Sequence, residues 1–319
     1  MDWFKFSFSD FSFAFLSVLF EGVPFLLLGS IISGFVDVFV SSERMSKLLP
    51  KNVIAATLLS GLLGLVFPMC ECGSVIVIRR FIRKGLPLSC ATAYMLGAPI
   101  VSPIVAVSTW SAFSQASPLT WVLLRLGIGY ALAVGVALIV HRLPAESILQ
   151  PQTVTARRRS GLTLTAQPTG ESQDFSTLVS QASFPRKLLL VAQSATADFL
   201  DVTFFFVIGV AITSVFNTGV SREALTPLAS STPLAIVTLM VLAALLALCS
   251  TTDAFVAWTF TAFAPQAKLA FLLFGPLFDL KLFWLYGLIF RKKFVTLMAL
   301  GLFLVIFLLC WRLPTEVFQ

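Results

Sequence analysis

Two thiols flank a carboxylate at Cys70-Glu71-Cys72, with Pro68 just before them and Gly73 just after. Soft thiolates suit thiophilic metals and trivalent metalloids, so Cys70 and Cys72 are the candidate metal ligands. Buried cysteine also serves as a small packing residue, and that alternative stays open. Glu71 lies in a strongly apolar stretch, where a charge is costly and is a functional candidate by default. Four more acids share that setting: Glu21, Asp201, Asp253 and Asp279. As a set they suggest a proton or cation relay at a central site. For each one the competing role is structural, as a partner of Arg125 or Lys281 or as the cap of a broken half-helix.

The elements that must position these groups are interrupted apolar segments. Pro68 and Gly73 break a run that begins at Val53. Gly97-Ala98-Pro99 and Pro103 break the next run, and Gly275-Pro276 breaks a later one. The stretch Cys249-Ser250-Thr251-Thr252-Asp253 interrupts another. In hydrocarbon, freed backbone groups are tolerated only where protein or a watery cavity satisfies them, so each break is expected to line a path. Half-helix N-termini carry partial positive charge, and starts are expected at Gly73-Ser74 and Asp253-Ala254. The candidate pathway therefore comprises Glu21, Glu71, Gly73, Ser74, Gly97, Pro99, Ser102, Asp201, Cys249, Asp253, Gly275, Pro276 and Asp279. Arg79, Arg80, Arg83 and Lys84 read as a cytoplasmic anchor.

Composition decides the class. Hydrophobic residues make up 58% of the chain, charged residues 12%, and mean hydropathy is +0.95, well outside the balance of a soluble domain. The chain is expected to be an all-α polytopic protein of the inner cell membrane. Its formal charge of +7 gathers at segment ends, as the positive-inside rule requires, and does not signal nucleic acid. His141 is the single histidine, which excludes a histidine-built metal cage. The five cysteines fall inside or beside apolar segments and form no secreted disulfide framework. The first apolar run, about residues 11–40, reads as a retained span rather than a cleaved leader.

A polar Ser/Thr/Gln-rich piece at 143–187, with Arg157, Arg158 and Arg159, reads as a flexible cytoplasmic linker. It separates a first transmembrane repeat, 1–142, from a second, 188–319. Landmarks recur in order between them. Glu21 and Asp201 each precede a glycine, Gly29 and Gly209, by eight residues. Cys70 corresponds to Cys249, and Gly97-Ala98-Pro99 to Phe274-Gly275-Pro276. Loop charges differ between the halves: Arg44, Lys47 and Lys51 follow the first span, whereas Arg222 stands beside Glu223 after the fifth. The difference disappears if each half has about three full spans plus one broken, re-entrant segment, with the halves inverted. That is the architecture of many secondary transporters.

The motifs PMCECGSVIVIRRFIRKGLP, MLGAPIVSPI, LCSTTDAF and FGPLFDLK resemble those of the bacterial predicted permeases of the ArsP-like family, over nearly the whole chain outside the linker. Cys70, Cys72 and Gly73 fall on its first motif, Gly97 to Pro99 on its second, and Cys249 with Asp253 on the counterpart in the other half. The resemblance implies an inner-membrane permease; some relatives are similar to exporters of trivalent organoarsenicals, and others are associated with copper or zinc efflux. The expected function is a secondary transporter, with efflux of a small solute through the broken helices. No nucleotide-binding signature appears, so an ion gradient is the simpler drive. The partners implied are the lipid bilayer, a small-solute substrate and coupling protons or cations, with no cofactor and no nucleic acid. Oligomeric state is open, a homo-oligomer being one arrangement. Two other functions compete: an intramembrane thiol oxidoreductase using Cys70 and Cys72, and a scaffold subunit acting through the linker.

Overall fold

The structure, a computed structural model, describes residues 7–39, 50, 52–67, 69–151, 184–219, 229 and 231–318. Pro68, Arg44, Lys47, Lys51, Arg157, Arg158, Arg159, Arg222 and Glu223 therefore lie outside the described residues. Within them the chain is helical throughout, apart from one isolated antiparallel bridge between Leu149 and Phe290.

The first half runs α1 (Phe8–Phe39), α2 (Val53–Leu62), α3 (Glu71–Arg83), α4 (Leu88–Gly97), α5 (Pro103–Ala112) and α6 (Pro118–Arg142). A short turn of helix, α7 (Ala145–Ile148), follows. The second half runs α8 (Phe184–Gly219), α9 (Thr232–Leu246), α10 (Asp253–Thr259), α11 (Pro265–Leu277), α12 (Leu280–Tyr286) and α13 (Lys292–Arg312). Each half thus opens and closes on a long helix and holds two interrupted pairs between them. The polar segment expected over 143–187 is shorter at both ends: α7 follows α6 almost directly, and α8 begins at Phe184.

Among the described residues five helical stretches are long and apolar enough to cross a membrane, and the molecule is an all-α polytopic membrane protein. Four of them are 22–33% buried, whereas Pro265–Tyr286 is 78% buried. The outer helices therefore present apolar side chains such as Phe20, Leu123, Phe204 and Leu297 to lipid, and α11 forms the centre. Hydroxyls within the spans are satisfied locally. Ser30, Ser60, Thr92 and Thr109 each donate to the carbonyl four residues earlier, as hydrocarbon demands.

Packing sets the directions. Gly22 faces Phe206 while Gly34 faces Val191 and Ala195, so α1 and α8 are antiparallel. Gly73 abuts Phe25 and Gly29, and Lys84 reaches the carbonyls of Val36 and Asp37, so α3 follows the second half of α1 in the same direction. A Cβ on Gly29 would sit 3.0 Å from the Gly73 carbonyl oxygen; only glycine lets these backbones approach so closely. Similarly, Gly209 of α8 lies against the backbone of Lys281 at the start of α12.

Candidate functional site

The break between α2 and α3 builds the first wall. After Leu62 the chain tightens into a 3-10 turn, Leu63–Leu65, and α3 begins at Glu71 with Cys70 as its N-cap. The Cys70 thiol accepts from the Gly73 N–H at 3.4 Å, and the Cys72 thiol hydrogen-bonds Cys70. The half-helix expected to start at Gly73-Ser74 therefore starts two residues earlier, because the thiol does the capping. Ser74 donates to the Glu71 carbonyl at 2.9 Å and to the Met95 carbonyl at 3.4 Å, tying α3 to α4.

The second half supplies the opposite wall. α9 ends at Ala247, a non-glycine residue in the left-handed region (φ 45), a conformation costing on the order of 1–2 kcal/mol. Its carbonyl accepts from Lys281 Nζ at 3.1 Å, so the lysine fastens the turn that the break requires. The same ammonium lies 3.1 Å from Glu71 Oε1 and 3.5 Å from Asp279 Oδ2. Asp279 caps α12, accepting from the Leu282 N–H at 2.6 Å. Ser250 completes the link by donating to Glu71 Oε2 at 3.5 Å. An isolated buried ion would be prohibitively costly; here each is partnered, and the contacts of Glu71 with Lys281 and Ser250 cross between the halves.

A second buried ionic contact joins α6 to α10. Arg125, fully buried, donates to both carboxylate oxygens of Asp253 at 2.8 and 2.7 Å, to the Ser250 carbonyl at 2.8 Å and to Thr109 at 2.8 Å. A small cavity opens between the walls. It is lined by Cys70, Glu71, Cys72, Cys249 and Lys281, with Glu21 and Phe25 from α1 and Phe206 from α8. Glu21 accepts from Thr252 at 3.4 Å and from the Cys249 thiol. Among the described residues no group of three or more His, Cys, Asp or Glu side chains is arranged to hold a metal ion.

Residues 7–311 match the ArsP_1 family, described as a predicted permease. The chain belongs to this family. The permease is 32% identical over 293 residues to the UPF0718 protein YcgR of Bacillus subtilis, covering 92% of each. It is 31% identical over 284 residues to a Streptococcus mutans protein named as a subunit of a two-component membrane permease complex, covering 88% of this chain and 87% of that one. No solved structure matches it. Family and spans together make it a multi-pass protein of the cell membrane.

Not every expected site residue of the permease reaches the cavity. Glu21, Glu71, Cys70, Cys72 and Cys249 line it. Gly73 and Ser74 form the first turn of α3 behind it, and Asp279 sits beneath Lys281. Asp253 starts α10 as expected but is turned to Arg125. Gly97 packs on the Gly61 backbone, Pro99 is buried in the turn after α4, and Ser102 caps α5 through the Ile104 N–H at 3.3 Å. Gly275 and Pro276 lie inside α11, which continues through the proline to Leu277; the interruption comes one turn later, at Phe278-Asp279.

Asp201 is the displaced one. Its carboxylate is 62% exposed and pairs with Arg79 at 3.3 Å, away from Glu21. It joins a polar cluster at the far end of α3. There Arg80 binds Asp198 at 2.7 Å and Asp37 at 3.2 Å, and Lys84 lies 3.7 Å from Asp37. Ser33 donates to Asp198 at 2.6 Å. The basic run at the end of α3 thus contributes to an ion-pair network joining α1, α3 and α8. Lys281, Ser250 and Thr252 were not singled out as site residues from sequence. Their signal was position: a lysine two residues after Asp279, and hydroxyls between Cys249 and Asp253.

Proposed function

We propose that this permease is a secondary transporter whose two inverted halves alternate access to the central cavity, so that it transports rather than catalyses. The observation that carries the proposal is the Lys281–Glu71 contact of 3.1 Å, which joins the break of one half to the break of the other beside a cavity. Half-helix ends meeting at mid-depth are the construction that secondary transporters use for substrate and coupling-ion sites. The matching order of elements in the two halves supports a repeat. Antiparallel α1 and α8 support inversion, and so do the two interrupted pairs around the cavity. The thiols of Cys70 and Cys249 at the cavity favour a small thiol-reactive solute, moved outward.

The test is growth of a null strain on a panel of metals, metalloids and organoarsenicals, complemented by the wild type or by Cys70→Ala, with flux then measured in proteoliposomes. Gradient-dependent movement of one solute, weakened by Cys70→Ala, is the expected result. Absence of such movement across the panel refutes transport. Labelling of cysteines placed at 44 and 222 on the same side of the bilayer refutes inversion.

A second reading, as one subunit of a larger permease, is favoured by the name of the Streptococcus mutans relative. Purification from native membranes with a second chain in fixed ratio would support it.

A further inference from the structure

We infer that Glu21 is the group that takes up and gives back the coupling proton of this permease, an inference that rests on the transport reading. The argument is a charge count at mid-depth. Glu71 and Asp279 share the ammonium of Lys281, and Asp253 has both carboxylate oxygens on Arg125. Glu21 has only neutral hydrogen-bond donors, the Thr252 hydroxyl and the Cys249 thiol, and among the described residues it forms no ion pair, Lys281 acting on it only across the cavity. Nor does it begin a helix: it lies near the middle of α1, about 20 Å of helix from Phe8, where no helix end offsets its charge.

An ionised Glu21 is therefore the third carboxylate around one ammonium. The groups facing it make this worse. Cys70 comes from the cap of α3, Glu71 and Cys72 from its first turn, Cys249 from the break before α10 and Lys281 from α12, while α8 contributes only the ring of Phe206. One of these six carries positive charge, and it is already committed to Glu71, Asp279 and the Ala247 carbonyl. A proton on Glu21 cuts the surplus from two negative charges to one, and the hydroxyl of Thr252 can then accept from the acid instead of donating to it. Half-buried at the cavity wall, Glu21 exchanges that proton wherever the cavity meets water. Glu71 and Asp279 each face the Lys281 ammonium, and Asp253 faces Arg125. They hold the halves; Glu21 carries the proton.

The test needs no transported solute. Full-length protein in phosphatidylcholine–phosphatidylglycerol vesicles is titrated between about pH 5 and about pH 9, a range that covers carboxyls perturbed by burial, while infrared difference spectra record protonated carboxyl groups. The expected result is one carboxyl band typical of a dry environment. It shifts in Glu21→Asp, disappears in Glu21→Gln and persists in Asp201→Asn. A band that survives Glu21→Gln, or wild-type protein with no such band, overturns the inference. If Glu21→Gln does not fold, the shift in Glu21→Asp decides. The two proposals fail separately: flux without the band keeps transport and removes proton coupling by Glu21, whereas the band without flux of any panel solute removes transport.

Discussion

Breaking the buried pair between Arg125 and Asp253 offers the sharpest check on how the two halves are held. Arg125 comes from α6 and Asp253 from the first turn of α10, with side-chain exposures of 0% and 3%. Asp253→Leu leaves a guanidinium in a dry interior with only Thr109 and the Ser250 carbonyl as partners. Removing one member of a buried pair costs about 3–5 kcal/mol, chiefly because the survivor keeps its uncompensated charge. Arg125→Met should cost a similar amount, since it strands the carboxylate. The double variant Arg125→Met/Asp253→Leu removes both charges, and replacement of a buried pair by apolar groups is often neutral or better. What remains is the Ser250 carbonyl stripped of its donor, a penalty of about 1–3 kcal/mol. Thr109 adds little, because its hydroxyl already donates to the Val105 carbonyl. The expected pattern is two severely destabilised single variants and a double variant more stable than either. Equilibrium unfolding in mixed micelles gives the three free energies and, by the double-mutant cycle, their coupling. A double variant as unstable as the sum of the singles would refute the reasoning, as would singles costing under about 1 kcal/mol.

Other perturbations follow the same physics. Lys281→Met leaves Glu71 and Asp279 without their cation and frees the Ala247 carbonyl, so the folded protein should fall to trace levels; normal yield on size-exclusion chromatography would contradict this. Gly29→Leu pushes α1 off α3 and should cost about 1–3 kcal/mol by overpacking, whereas Gly127→Ala, with open space beside it, should be neutral or stabilising by about 1 kcal/mol. Micelle unfolding of both variants checks the contrast. Asp198→Asn strips Arg80 of its closest carboxylate, and thermal unfolding should report a larger loss than Asp201→Asn, whose pair with Arg79 is largely exposed. Deleting residues 152–183 should leave proteoliposome flux undiminished; loss of flux would make that segment part of the transport machinery.

Much of this molecule was legible in one dimension. Apolar length and helix-breaking residues are local properties, so the membrane class and the start of the interrupted run at Val53 could be read directly. The same holds for Asp253 at the start of one half-helix, whereas the other start lies two residues before the expected Gly73 because the Cys70 thiol caps it. The Gly275-Pro276 break is displaced because the helix runs on through the proline to Leu277, giving up the hydrogen bond that Pro276 cannot donate, and Asp279 caps the next one.

The partners of the acids were not legible. Glu21 and Asp201 look equivalent, each eight residues before a glycine that packs closely on another backbone. Because α1 and α8 run in opposite directions, the same step along the chain carries the two carboxylates to different heights along the helix pair. One faces the cavity; the other reaches Arg79 and water. Sequence alone established a membrane-embedded helical chain with broken segments and costly charges, since those follow from each residue's own transfer energy. Which charge meets which cation, and which acid is left without one, was decided only when antiparallel helices packed, because pairing depends on relative direction and depth that no local run of residues encodes.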